Sequence, residues 1–239
     1  PDAVFLAIAA TERVLTPDTA GHVNMVRDLV SSHDKVGKFG WKCQNPNLFQ
    51  FSADAYFNEM GITNILFPNE NCPNGDCTML ACNPVPGIND QDNDTQKFAD
   101  FMAFLAPPPR GAVTGQALAG EVVFVGLGCA NCHLPTLKTG PNAVKALDRV
   151  TFSPFSDFLV HDMGSLGDGI QQGNAGIHEF RTTPLWGVRH VTRLLHDGRA
   201  ATLEEAILAH DGQGKGARDR FAALKANQKA LLVAFLKSL

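Results

Sequence analysis

The stretch GLGCANCHLP, residues 126–135, decides how the rest of this sequence is interpreted. It places Cys129 and Cys132 three positions apart, and His133 follows the second thiol directly. A Cys-x-x-Cys-His run is the attachment signature of a c-type haem, in which both sulfurs form thioethers with the porphyrin and the histidine is brought under the iron. We therefore predict one covalently bound haem c, anchored by Cys129 and Cys132, with His133 as the proximal iron ligand.

Three other interpretations of the motif compete with a haem. A thioredoxin-like redox pair follows a strand in a βαβ unit, whereas the segment before Cys129 reads as a helix. A structural zinc site needs a second pair of ligands at suitable spacing, and residues 134–239 offer none. A disulfide across two residues leaves His133 unexplained. The haem interpretation is the most specific of the four.

The composition is that of a globular protein without a nucleic-acid surface. The chain has 239 residues, of which 44% are hydrophobic, and 20 Lys and Arg stand against 24 Asp and Glu. No run of like charge suggests DNA or RNA binding. No apolar stretch approaches the roughly 18 residues that span a bilayer, so we expect no transmembrane segment.

The start of the chain and the remaining cysteines favour an exported protein. The sequence begins at Pro1 with PDAVFLAIAATER, which lacks the features of a signal peptide and fits a chain whose leader has been removed. We therefore expect a periplasmic or secreted location in a bacterium. Outside the motif lie four cysteines, for which disulfides in an oxidising compartment are favoured over a zinc site or free thiols: Cys43, Cys72, Cys77 and Cys82. Their pairing stays open among three possibilities.

Helix signals dominate the first half of the chain. A helix is predicted over residues 47–60, closed by Gly61, and residues 62–92 read as a long loop. The next helix begins near residue 94, capped by Asp94 or Thr95, and three prolines end it. Its apolar positions recur at helical spacing: Phe98, Phe101, Met102 and Leu105.

The prolines at 107–109 mark the best domain boundary. We predict residues 1–110 as a loop-rich, disulfide-linked helical region without a haem motif, and residues 111–239 as the haem domain. In the second part, residues 134–200 read as mostly irregular backbone around a ligand. A helix then begins with Thr202 and Glu205 in capping-box spacing and carries His210 on one face with Leu203 and Ile207, and a last helix covers about residues 216–238.

The sequence resembles a known family over nearly its whole length. The stretches that carry the resemblance are KFGWKCQ (38–44), EMGITNILFPNENC (59–72), VHDMGSLGDG (160–169), EFRTTPLWGVRHVTRLLHDGRAATLEEAILAH (179–210) and LLVAFLKSL (231–239). They are similar to the di-haem oxidoreductase family, which is related to the bacterial di-haem cytochrome c peroxidases and to the di-haem enzyme of methylamine utilisation. The resemblance implies a mainly α fold with a class I cytochrome c-like helical domain and long irregular loops.

Two further features resemble class I cytochromes c. Gly120, Glu121 and Phe124 match the helix that leads into the haem of those proteins, with the aromatic ring facing the C-terminal helix. TGPN at 139–142 resembles the loop whose proline carbonyl accepts the second N–H of the proximal histidine, which would make the Pro141 carbonyl the partner of His133.

The sixth iron ligand is left open between two side chains and an open site. In the related peroxidases the helix after the HDG turn carries the distal ligand, and His210 stands at that position. Met163 is the alternative, because a thioether ligand is common in electron carriers. The other histidines after the motif are weaker candidates: His161, His178, His190 and His196.

Four further side chains are candidates for pairing with haem propionates or for an electron path: Arg181, Trp186, Arg189 and Arg199. Ordinary surface pairing is the alternative role for each. Bound calcium in the glycine-rich loops is possible from the sequence but has no specific motif.

The chain departs from its relatives in one respect. Those proteins carry two haems, whereas this sequence contains one attachment motif, and residues 1–42 contain no cysteine. We therefore predict electron transfer with a redox partner protein, and peroxidase-like oxidoreductase activity with a second haem from outside this chain as the alternative. A haem-bearing sensor or binding module is a third class.

Overall fold

The computed structural model describes every residue from Pro1 to Leu239. Its α-helices are α1 (Asp2–Leu15), α2 (Leu48–Met60), α3 (Asp94–Ala103), α4 (Gly115–Gly126), α5 (Leu203–Ala209), α6 (Lys215–Ala222) and α7 (Ala226–Leu236). Its strands are β1 (Met25–Asp28), β2 (His33–Val36), β3 (Leu137–Lys138), β4 (Thr151–Phe152), β5 (Val160–Asp162) and β6 (Glu179–Arg181). They form three antiparallel pairs, β1 with β2, β3 with β4 and β5 with β6.

Helices dominate, which confirms the prediction of a mainly α chain, while the class I cytochrome c-like detail stays a prediction. None of the helices is both long and apolar enough to cross a lipid bilayer.

The chain divides into two compact units. The first unit contains residues 1–24, 41–43 and 107–239, and the second contains residues 25–40 and 44–106. The predicted boundary at residue 110 lies near Pro107, where the last segment of the first unit begins. Residues 1–24 fold with that last segment, because α1 packs on it: the ring of Phe5 lies edge-on to that of Phe158 at 6.3 Å. Separate roles for residues 1–110 and 111–239 stay a prediction.

In the second unit, α2 has the ends that the sequence predicts. The side chain of Asn47 accepts a hydrogen bond from the amide of Gln50, which satisfies one of the free N–H groups of the first turn. Gly61 then ends the helix with φ at 67°, a left-handed conformation that glycine adopts without steric cost. The predicted helix over residues 47–60 is confirmed.

The ends and the apolar face of α3 differ from the prediction. The carboxylate of Asp90 accepts the amides of Asp94 and Thr95 at 2.7 and 3.1 Å, so Asp90 caps the helix from four residues upstream. Thr95 and Ala99 are its buried side chains. Phe98 and Phe101, predicted on an apolar face, are 49% and 62% exposed.

The cysteines outside the motif form one disulfide, between Cys72 and Cys77 in the second unit. Neither Cys82, which is exposed, nor Cys43 of the first unit, which is buried, takes part in a disulfide. The prediction of disulfides among these four thiols is therefore correct for one pair. Two cysteines separated by four residues in a turn-rich loop can meet without help from distant segments, which explains why this pair formed.

The core of the first unit lies where α4 crosses α7. Thr114 caps α4 by accepting the amide of Ala117. Gly120 allows the two helices to approach backbone to backbone, since a β-carbon there would overlap the carbonyl group of Leu231. The buried apolar side chains of this core are Phe124, Leu127, Phe155, Val188, Phe221, Leu232, Phe235, Leu236 and Leu239.

The predicted last helix over residues 216–238 is wrong in one respect, because it is two helices. α6 ends at Ala222 and α7 begins at Ala226, with Lys225 in an extended conformation between them. The amide of Lys225 donates to the Gln228 side chain, which provides a cap for the new helix. Phe221 and Leu232 lie three turns apart in a continuous helix, so their spacing could not reveal the break.

Candidate haem site

The Cys-x-x-Cys-His motif lies on a tight turn at the end of α4. Gly128 adopts φ of 80° after the helix, and a single 3-10 turn covers Cys129–Asn131. The amide of His133 donates to the carbonyl of Cys129 at 2.9 Å. Cys129, Cys132 and His133 all line one cavity, and both cysteines are free thiols. The structure thus brings the predicted anchors and the predicted ligand to the same space.

The cavity is large and mostly apolar. The space between its walls amounts to about 1680 Å³, part of which is open to solvent at the mouth. Among the apolar side chains in its wall are Phe124, Phe180, Leu185, Leu194, Leu203 and Ile207. An apolar wall with a few polar groups is typical of sites that hold a flat organic cofactor.

His133 is held with one ring nitrogen occupied. Its Nδ1 lies 2.9 Å from the carbonyl oxygen of Phe155, so Nδ1 carries the proton and Nε2 is the nitrogen available to a metal. Burial lowers the pKa of His133 to about 4, which keeps the ring neutral at pH 7. A neutral imidazole oriented by a backbone carbonyl is the form that binds iron.

The carbonyl that His133 faces is that of Phe155 and not that of Pro141, so this prediction is wrong. Backbone hydrogen bonds from Ser156 to Leu134 and from Asp157 to Cys132 bring residues 155–157 alongside the motif. Pro141 is exposed, in the loop that joins β3 to β4. The match of TGPN at 139–142 to class I cytochromes c therefore did not indicate which loop supplies the carbonyl partner of His133.

His210 lines the same cavity as His133. The prediction that His210 lies on the face of a helix is wrong. His210 is the C-cap residue directly after α5, and its ψ of 134° is not helical. Its Nδ1 lies 2.8 Å from the carbonyl oxygen of Ala206, which leaves Nε2 available. Burial lowers the pKa of His210, which favours the neutral ring.

Met163, the alternative ligand, also lines the cavity, and its methyl group lies beside Gly214 after α5. The cavity therefore contains both candidates for the sixth ligand.

Both Phe124 and the capping box of Thr202 and Glu205 are where the sequence predicts them: Phe124 packs on Phe235 of α7, and Thr202 begins α5.

The candidate propionate partners separate into two groups. Arg181 and Trp186 line the cavity. The indole of Trp186 packs on the ring of Phe158 at 6.4 Å, and burial lowers the pKa of the Arg181 guanidinium.

Arg189 and Arg199 are absent from the cavity wall. Arg189 donates to the carbonyl oxygens of Pro109 and Leu239, which ties down the C-terminus, and Arg199 pairs with Asp197 at 2.5 Å. Arg193 and Arg218, which no sequence signal indicated, line the cavity instead.

No pattern in the sequence indicated the row of buried polar side chains that lies beside Cys132. The Sγ of Cys132 lies 3.6 Å from Nδ1 of His161, and Nε2 of His161 lies 2.9 Å from the carboxylate of Asp157. Asp157 and His161 are 0% and 2% exposed. Burial alone would lower the pKa of His161, but the hydrogen bond with Asp157 raises it well above the usual range.

This arrangement does not match a metal site. Cys132 and Asp157 contact opposite nitrogens of one imidazole, so a metal bound to sulfur and Nδ1 would leave Asp157 on the far side of the ring. Asp157 instead orients His161, and its charge also acts on Glu12 of α1. Glu12 is 5% exposed, and its Oε2 accepts the amide of Gly21 at 2.9 Å.

Comparison with known proteins gives a family for the whole chain. No curated protein matches the sequence. A chain in the solved structure of Kuenenia stuttgartiensis hydrazine synthase pressurised with 20 bar xenon is 20% identical, with a TM-score of 0.48, and the match covers 64% of this chain and 57% of that chain. The family described as "Di-haem oxidoreductase, putative peroxidase" matches residues 1–239. The chain therefore belongs to the di-haem oxidoreductase family.

Proposed function

We propose that this chain is a c-type haem protein that transfers electrons in the periplasm or outside the cell, with one haem held in the cavity described above. In this proposal Cys129 and Cys132 would form the thioethers, and His133 and His210 would be the protein ligands of the iron. A haem bound in this way supplies a one-electron redox centre.

The observation that carries the proposal is that His133 and His210 have the same kind of environment. Each lines the same cavity, and each has Nδ1 at hydrogen-bond distance from a backbone carbonyl, Phe155 for His133 and Ala206 for His210. Both rings therefore offer Nε2 as the free nitrogen. Two neutral imidazoles on one iron leave no open position, which suits electron transfer and disfavours peroxide binding.

The remaining cavity residues have supporting roles in this proposal. Apolar side chains such as Phe124 and Leu194 exclude water from the porphyrin faces, and the guanidinium of Arg181 pairs with a propionate. Trp41 lines the cavity and is 45% exposed, so a redox partner protein can contact an aromatic group that reaches the cofactor space. The disulfide between Cys72 and Cys77 supports a location outside the cytoplasm.

The second candidate is a peroxidase-like haem oxidoreductase that works with another haem from outside this chain. It is favoured by the family description, which names two haems and peroxidase activity, whereas this sequence contains one attachment motif. In that case the iron would have an open or exchangeable position, and His210 or Met163 would leave it during the reaction.

Visible and EPR spectra of the purified haem protein distinguish the two. The electron carrier gives a low-spin spectrum that cyanide and peroxide do not change, and His210→Ala converts it to a high-spin form that binds cyanide. Met163→Leu is the matched control and retains the low-spin spectrum, because the methionine is not a ligand in this proposal. A high-spin wild-type protein that reduces peroxide with an added electron donor would contradict the carrier and support the oxidoreductase.

A further inference from the structure

A chain of polar side chains crosses the wall of the haem cavity. On the inner side, Cys132 and His161 line the cavity. On the outer side, Glu12 lines a separate cleft of about 770 Å³, counted out to its mouth, between α1 and Leu134. Asp157 lies between them: its carboxylate is 2.9 Å from Nε2 of His161, and its charge acts on Glu12.

The like charges of Glu12 and Asp157 favour a proton on one of the two carboxyls. Two ionised carboxylates only accept hydrogen bonds, so a hydrogen bond between them forms when one of the two is protonated. The Oε1 atom of Glu12 is fully buried and has no donor group of the protein beside it. A proton on Glu12 therefore removes the repulsion between the two carboxylates. It also makes the buried carboxyl a hydrogen-bond donor, so that it is no longer only an acceptor without a partner.

Three groups of the protein face Glu12. Asp157, in the loop before β5, and His161, on β5, are the titratable groups that face it, and the amide of Gly21 is the donor on its other oxygen. Burial is the largest cause that raises the pKa of Glu12, to about 7, and the charge of Asp157 adds to it. Glu12 thus changes protonation in the neutral range, where a small change in local charge shifts its state.

We propose that Glu12, connected through Asp157 and His161 to the haem edge at Cys132, is a proton-loading site that takes up a proton from the outer cleft when the haem iron gains an electron. The inference rests on the proposed redox function. The electron comes from a one-electron donor and goes to the iron, the proton comes from solvent in the cleft, and the only bond that forms is the O–H bond of the Glu12 carboxyl. The added negative charge at the haem favours the neutral carboxyl, so reduction and protonation support one another.

The reduction potential of the purified haem protein, measured between about pH 6 and pH 8 in wild type, Glu12→Gln and Glu121→Gln, tests the proposal. We expect the wild-type potential to fall as pH rises, toward the limit of a tenfold change in the reduction equilibrium per pH unit, which is about 59 mV for a one-electron couple. Glu12→Gln keeps the shape and the acceptor for Gly21 but cannot ionise, so its slope in this range should fall to half or less. Glu121 on α4 has a side chain that is 37% exposed, and its variant should keep the wild-type slope.

Equal slopes in wild type and Glu12→Gln, or a wild-type potential independent of pH, would overturn the proposal while leaving a reversible haem redox centre intact. A wild-type protein that cannot be reduced reversibly would instead contradict the proposed function. If Glu12→Gln does not fold, infrared difference spectra of the wild type decide. A protonated carboxyl band that appears on reduction near pH 7 supports the proposal, and its absence refutes it.

Discussion

Gly120 of α4 lies directly against the backbone of Leu231 in α7, with no room for a β-carbon between them. This contact sets how closely the two helices of the core approach, and Phe124, one turn further along α4, then packs against Phe235 with ring centroids 5.1 Å apart. The close packing of α4 against α7, just before the Cys-x-x-Cys-His motif, therefore requires a glycine at position 120.

The first prediction concerns this contact. Gly120→Ala should lower the free energy of unfolding by about 1–3 kcal/mol, because the clash with the Leu231 carbonyl outweighs the better helix propensity of alanine. Urea unfolding followed by circular dichroism measures the change. Gly126→Ala is the control, since a β-carbon at Gly126 meets no atom within 4 Å. Equal stability of the two variants would show that α4 and α7 are further apart.

The second prediction concerns the anchors. Cys129→Ser and Cys132→Ser should each leave a single thioether, and the double variant should lose covalent haem, because a serine hydroxyl does not form a thioether with a vinyl group. A pyridine haemochrome assay and the mass of the denatured protein count the bonds. Cys82→Ser is the control with full covalent haem, since that thiol is free and exposed outside the motif. Covalent haem in the double variant would refute the assignment of these anchors.

The third prediction concerns the stability of the first unit against pH. The pKa of Glu12 is raised from 4.5 to about 7, so the folded state binds this proton more tightly than the unfolded state. The contribution of Glu12 to the free energy of unfolding is fully present below about pH 4.5 and is lost as pH rises to about 7. At pH 8, Glu12→Gln should therefore be more stable than wild type, by up to roughly 3 kcal/mol.

Urea unfolding at pH 5 and pH 8 measures this difference, and Glu121→Gln provides the exposed control. A constant difference between wild type and Glu12→Gln at the two pH values would contradict the prediction.

The fourth prediction concerns Asp28 in the second unit. Burial alone would raise its pKa, but hydrogen bonds from Lys35, Ser31 and the amide of Val30 hold the pKa well below its usual range. Its contribution to stability is present above the unfolded pKa and is lost as pH falls through the folded one. Asp28→Asn should cost about 1–3 kcal/mol at pH 7.

The cost of Asp28→Asn should shrink in acid, where wild type loses the same charge. Denaturant unfolding at pH 7 and in the acid range measures it. Asp34→Asn is the control, because the Asp34 side chain is 67% exposed and its ion pair with Arg27 is 3.7 Å long. A larger cost in acid than at pH 7 would contradict this account.

Local patterns in the sequence predicted local structure well. The capping box of Thr202 and Glu205, the glycine end of α2 and the turn-bound cysteine motif each depend on residues within a few positions of one another. The break between α6 and α7 was missed because apolar spacing is the same in one helix and in two aligned ones.

The parts of the site that depend on distant segments could not be predicted. Nothing near His133 in the sequence indicates that residue 155, rather than 141, supplies its carbonyl partner. Glu12 and Asp157 are 145 positions apart, and only folding brings their carboxyls together. The one available signal was Glu12 itself, an acid that follows the apolar run of residues 3–10 in α1.

The division of the chain into units also bears on how the compartment around Cys132 is completed. Thr19 lines the cavity, and its carbonyl oxygen lies 3.7 Å from the sulfur of Cys132, so the opening segment of the chain supplies part of the wall around an anchor in the later half. Residues 25–40 and 44–106 interrupt that compartment in sequence as an insertion. A fragment that starts at residue 111 would therefore lack the part of the cavity wall that Thr19 supplies beside Cys132.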